Sequence, residues 1–125
     1  MKKTIALIAH DGKKPEMVAF VKDHIEFLKK AHLVATGTTG SYVKQTGLEV
    51  ELKLSGPMGG DAQIAALAAE GKVDGIIFFR DALGKHAHEP DIQMLMRVCD
   101  LYNVPLATNP ATGSLIIEGL LEDEL

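Results

Sequence analysis

Two loops made of glycines and hydroxyl residues carry the clearest chemical potential in this chain: ATGTTG, Ala35 to Gly40, and SGPMGGD, Ser55 to Asp61. In the first, Thr36, Thr38 and Thr39 interleaved with Gly37 and Gly40 offer hydroxyl and backbone N–H donors. Such donors suit a phosphate at a helix N-terminus, where the dipole adds attraction. Taken alone, the loop equally suits an ordinary strand-to-helix turn with a Thr cap, and it matches neither the dinucleotide nor the Walker spacing. Ser55 and Gly56 repeat the donor pattern further on, and Lys14 supplies positive charge. Two such loops together favour an anion site.

Asp61 then poses a problem, because a carboxylate beside a phosphate is repelled. An Asp ahead of AQIAALAAE is a good helix N-cap. Gly59 and Gly60, however, allow backbone that brings the chain close to a ligand. The electrostatic cost is offset if the carboxylate removes a proton from the carbon next to the phosphate. Asp61 is therefore read as a general base, with the donors on either side holding the phosphate away from it.

His10 and Asp11 follow an apolar run, and His88 lies in HAHEPD with Asp91 three residues on. A histidine at the carboxyl end of a strand is a candidate for proton transfer. His86 is two residues from His88; a metal held by His10, His86 and His88 has no HExxH-like spacing behind it, and none is expected. His24 and His32 read as structural. Asp81 suits a loop cap or a partner orienting a His or Lys, and Arg80 either pairs near it or faces a neighbouring subunit.

These residues need strands to position them. Short apolar runs alternate with segments of helical period, the pattern of βαβ units and a parallel sheet. The expected strands are Thr4 to His10, His32 to Thr36, Val50 to Ser55, Asp74 to Phe79 and Pro105 to Asn109, the third alternating as an edge strand does. Met17, Phe20, Val21, Ile25 and Leu28 predict one helix opened by Pro15. Ile92, Leu95, Met96, Cys99 and Tyr102 predict another behind Pro90, and shorter helices are expected over Thr39 to Gln45, Asp61 to Ala69 and Ala111 to Leu120. Ligands of open parallel sheets bind outside the carboxyl ends of the strands, and nearly every residue singled out above falls in a loop there.

At 125 residues, 46% hydrophobic and 24% charged, the chain is expected to form one domain over residues 1–125. Its apolar runs are too short to span a bilayer and its start lacks the features of a signal peptide, so the cytoplasm is the expected compartment. The single Cys99 excludes an intrachain disulfide and a multi-cysteine zinc site, and a buried, inert thiol is expected. A net charge of -4 argues against nucleic-acid or anionic-membrane binding.

Together the segments IALIAHDGKK, LVATGTTG, LSGPMGGD, IIFFRD, HEPD and VPLATNPAT resemble the methylglyoxal synthase family, in family order and spacing over most of the chain. The resemblance implies a three-layer αβα sandwich around a five-stranded, mostly parallel sheet of the flavodoxin or Rossmann kind, assembled as a homohexamer. It implies conversion of dihydroxyacetone phosphate to methylglyoxal and inorganic phosphate without metal or organic cofactor, with phosphate as product and expected inhibitor. Carried over, it makes Asp61 the proton-abstracting base and His88 the electrophile at the C2 oxygen. Substrate-binding roles fall on His10, Lys14, Thr36, Gly37, Thr38, Thr39, Ser55 and Gly56, and supporting roles on Asp11, Asp81 and Asp91. Ala82 and Ala87 stand where the family usually has proline, and the chain ends soon after its last helix, whereas many relatives have a longer tail. The alternatives are a regulatory phosphate-ligand domain like that of carbamoyl phosphate synthetase, and a phosphosugar isomerase.

Overall fold

A computed structural model describes residues 2–84 and 89–122. Five strands form one sheet: β1 (Thr4–Ala9), β2 (His32–Ala35), β3 (Glu51–Leu52), β4 (Gly75–Phe79) and β5 (Leu106–Ala107). The order is β3-β2-β1-β4-β5 and every pairing is parallel. β1 is central, pairing with β2 from Thr4↔His32 to Leu7↔Ala35 and with β4 from Ile5↔Gly75 to Ala9↔Phe79. Its near-continuous apolar run reflects burial on both faces.

The helices are α1 (Lys14–Asp23), α2 (Ile25–Leu28), α3 (Gly37–Lys44), α4 (Gly60–Ala69), α5 (Glu89–Tyr102) and α6 (Pro110–Leu121). On one face of the sheet, Ile5, Leu7 and Phe79 pack with Met17, Phe20, Leu28, Val43 and Ile117 of α1, α2, α3 and α6. On the other, Ala6, Ile8, Ile76 and Phe78 pack with Ile64, Ala68, Ile92, Leu95 and Cys99 of α4 and α5. The result is a three-layer α/β sandwich. Burial pushes the Cys99 thiol up to about 11, with Asp100 adding to the effect.

Four expectations need correction. The helix predicted through Met17 to Leu28 breaks at His24, whose backbone leaves the helical region at φ -119, ψ 21. There the imidazole Nδ1–H shares the Phe20 carbonyl with the backbone N–H of His24, at 2.8 and 3.1 Å, and Nε2 meets the Ser114 hydroxyl at 3.0 Å. The third strand shrinks to Glu51–Leu52 because it pairs on one side only, and past it the Leu54 N–H is taken by the Gln63 side chain at 2.8 Å. β5, also an edge, shrinks likewise. The apolar stripe of α5 ends at Cys99, since Tyr102 is 54% exposed.

Between β1 and β4 the chain order reverses. Loops after these two strands diverge to opposite faces and open a crevice, the usual ligand position in such sheets.

Candidate functional site

The crevice is a cavity of about 250 Å³, and its walls come from four strand ends. His10, Asp11 and Lys14 enter after β1; Thr36, Thr38 and Thr39 after β2; Ser55, Gly56 and Asp61 after β3; and Asp81 after β4. Residues 1–84 of the predicted set thus converge, apart from Gly37, whose N–H instead donates to the Leu54 carbonyl at 3.2 Å. Asp91 lies in the first turn of α5, away from the cavity wall. His86 and His88 lie outside the described residues. Ile8, Ala9, Gly12 and Pro57 also line the cavity. Ala9 carries no chemistry in its side chain, so residue type gave no signal for it.

Asp61 is 1% exposed. It is not a cap: α4 begins at Gly60, its N-cap is Gly59, and no side chain caps it. Asp61 sits in the first turn of α4. Its placement is set by a tight turn. Gly59 adopts φ 110, which glycine alone takes at little cost, and Gly60 N–H donates to the Ser55 carbonyl at 2.9 Å. At Gly60 the backbone passes so close to Leu54 that a Cβ would overlap the Leu54 carbonyl oxygen.

α3 begins two residues earlier than predicted, which puts Thr38 and Thr39 in its first turn. Their N–H groups therefore have no acceptor within the helix and present donors to an anion. Lys14 is nearly buried, its Nζ donating to the Ala9 carbonyl at 2.7 Å and meeting the Asp11 carboxylate at 3.2 Å. Asp11, Asp61 and Asp81 set three carboxylates against this single ammonium among the lining residues. An anion entering here is held by dipoles and hydroxyls more than by net charge.

His10 is held edge-on against Phe78, with ring centroids 5.2 Å apart, and its Nδ1 accepts the Asp81 backbone N–H at 2.9 Å. A nitrogen that accepts from an amide carries no proton, so the proton of the neutral ring is on Nε2. Asp81 contributes through its backbone here, while its Oδ1 accepts the N–H groups of Leu83 and Gly84, both at 3.2 Å. It caps its own loop, one of the two roles its sequence position suggested. Arg80 reaches Glu89 at 3.5 Å and Met96 Sδ at 3.5 Å, tying the start of the loop to α5.

Residues 16–108 match the family of the MGS-like domain. The chain is 55% identical over 120 residues to a methylglyoxal synthase of Borrelia garinii subsp. bavariensis, spanning 95% of each. The chain belongs to the methylglyoxal synthase family. A methylglyoxal synthase of Carboxydothermus hydrogenoformans is 53% identical over 93% of this chain and 97% of its own. The crystal structure of methylglyoxal synthase from Elizabethkingia anophelis NUHP1 superposes with a TM-score of 0.87 at 41% identity, covering 93% of this chain and 77% of that one. As a methylglyoxal synthase family member the chain is an enzyme of the lyase kind, and its sheet of five parallel strands is that of the superposed structure. Among the described residues, no helix is long and apolar enough to cross a membrane.

Proposed function

We propose that the chain converts dihydroxyacetone phosphate to methylglyoxal and inorganic phosphate, a carbon–oxygen elimination at a phosphate ester. The observation that carries this reading is Asp61: a carboxylate 1% exposed, opening into the same cavity as the donors of Thr38, Ser55 and Gly56. A binding module for a phosphate has no use for a buried carboxylate there, whereas a carbon acid needs one.

In this reading the phosphate sits on the first turn of α3 with the Ser55 loop and Lys14 closing around it. Asp61 removes a proton from C1, the hydroxymethyl carbon across the C2 carbonyl from the ester, so that the enediolate spans C1 and C2 and the phosphate is the leaving group on the adjacent C3. Charge developing on the C2 oxygen is stabilised by donated hydrogen bonds, from the Nε2–H of His10 and, as the family resemblance implies, from His88. Phosphate leaves when its C–O bond stands roughly perpendicular to the enediolate plane, a torsion fixed by the phosphate cradle. Asp11, Asp81 and Asp91 support the site around it. The chain's own residues suffice for each step, so no metal or organic cofactor is invoked.

The same reading takes the chain as a single cytoplasmic domain working as a homo-oligomer, a hexamer by family resemblance. Exposed Leu52, Leu54 and Met58 beside the β3 edge supply apolar surface that assembly would cover. Incubation with dihydroxyacetone phosphate, followed by assays of free phosphate and methylglyoxal, tests the proposal. Equimolar release supports it; triose interconversion without phosphate release would identify an isomerase, and binding without turnover a regulatory domain.

A further inference from the structure

We propose that the Thr39 hydroxyl is a positioning group and not a phosphate ligand: it fixes the end of β1, and with it His10 and Lys14, against the first turn of α3. The inference rests on the function proposed above. A hydroxyl has one proton and two lone pairs. Thr39 Oγ1 donates that proton to the Ala9 carbonyl at 3.3 Å, accepts the Ala9 N–H at 3.1 Å, and accepts the Thr36 hydroxyl at 3.4 Å. Its bonding capacity is filled. A phosphate oxygen, which only accepts, finds no proton on Thr39 Oγ1, and the side chain is 2% exposed.

What Thr39 holds matters as much. Both backbone groups of Ala9 are engaged by it, at the last residue of β1. The same Ala9 carbonyl accepts the Lys14 ammonium, and the next residue is His10, braced by Phe78 and by the Asp81 N–H. One hydroxyl therefore couples the helix that cradles the phosphate to the strand end that presents the cation and the imidazole. By this division, the phosphate is left to the N–H groups of Thr38 and Thr39, the Thr38 and Ser55 hydroxyls, and the third proton of Lys14.

The test compares wild type with Thr39→Val, which keeps the shape without the hydroxyl, and Thr39→Ser, which keeps the hydroxyl. Measured are kcat and KM for dihydroxyacetone phosphate and inhibition by inorganic phosphate. Thr39→Val is expected to lower kcat by about tenfold or more through misplaced groups, with the phosphate inhibition constant within about twofold of wild type and Thr39→Ser restoring most of kcat. A Thr39→Val protein with unchanged kcat, and with KM and the phosphate inhibition constant raised by the same factor, would make Thr39 a ligand and overturn the proposal. So would wild-type values throughout. Crystals of the wild-type protein soaked in inorganic phosphate decide the matter even if Thr39→Val fails to fold or the wild-type chain proves inactive, the latter result counting against the proposed function alone. Expected is an anion in the cavity with every oxygen beyond about 3.5 Å of Thr39 Oγ1; an oxygen in hydrogen-bond contact with it refutes the assignment.

Discussion

Gly60→Ala concentrates the structural argument in one methyl group. The new Cβ would overlap the Leu54 carbonyl oxygen and stand 2.9 Å from both Leu54 C and the Ser55 carbonyl oxygen. All three neighbours are backbone, so no side chain can swing aside. The start of α4 and the Leu54–Ser55 strand end must part by about 1 Å, at the overpacking cost of roughly 1–3 kcal/mol. The Gly60 to Ser55 hydrogen bond, 2.9 Å long, stretches with them. Asp61 is the next residue and Ser55 and Gly56 form the opposite lip, so the displacement falls on the distance between base and phosphate. A misplacement of that size typically costs about 10²-fold in rate. Urea unfolding and phosphate release from dihydroxyacetone phosphate read the two effects separately. Gly119→Ala is the control: it lies in α6 with nothing within 4 Å of its Cβ, and is expected to stabilise by up to about 1 kcal/mol through helix propensity with activity unchanged. Were Gly60→Ala to match wild type in both stability and turnover, the claim that close backbone contact positions Asp61 would be wrong.

Asp61→Asn should bind inorganic phosphate about as well as wild type while kcat falls by roughly 10²- to 10⁴-fold, the span of positioned proton transfer; calorimetric titration and turnover check the two halves, and retained turnover removes Asp61 from its role. His88→Gln is expected to lower kcat less severely, and equal rates for it and wild type would shift the electrophile's part to His10. The Glu51 carboxyl is held below the ordinary value first by its hydrogen bond from Lys53, with His32 contributing. A depressed carboxyl stabilises the fold above its unfolded-state value and loses that contribution as pH falls through the folded one. Because Glu51 is half exposed, the gain is below about 1 kcal/mol. Urea midpoints of wild type and Glu51→Gln should therefore differ at neutral pH and converge in acid; a gap that widens on acidification contradicts this sign.

Much of the site was readable because strand ends advertise themselves by residue type. ATGTTG and SGPMGGD punctuate apolar runs, and the loops they form do meet. Less readable was anything that depends on the backbone. The cap pattern around Asp61 is shared by caps and first-turn acids; a cap there would start the helix at Ala62, and only the backbone of Gly59 at φ 110 starts it at Gly60. The break at His24 is a change of backbone angles at one residue, which leaves the 3.6-residue period of Met17 to Leu28 intact and so leaves no mark in the pattern. Edge strands shortened for a related reason, since pairing on a single side is a property of topology. Ala9 and the Asp81 amide act through main-chain atoms that every residue possesses, and spacing cannot single them out.

The proposed product is an electrophilic ketoaldehyde, and the catalyst is the protein most exposed to it. Thiolates and guanidinium groups are the side chains such a compound captures first. Here the only thiol is stored under α5 at 2% exposure with its ionisation pushed up to about 11, so almost none is nucleophilic at neutral pH. Of two guanidinium groups in the chain, that of Arg80 is tethered to Glu89. Packing that began as ordinary core formation thus keeps the chain's one thiol from its own reagent.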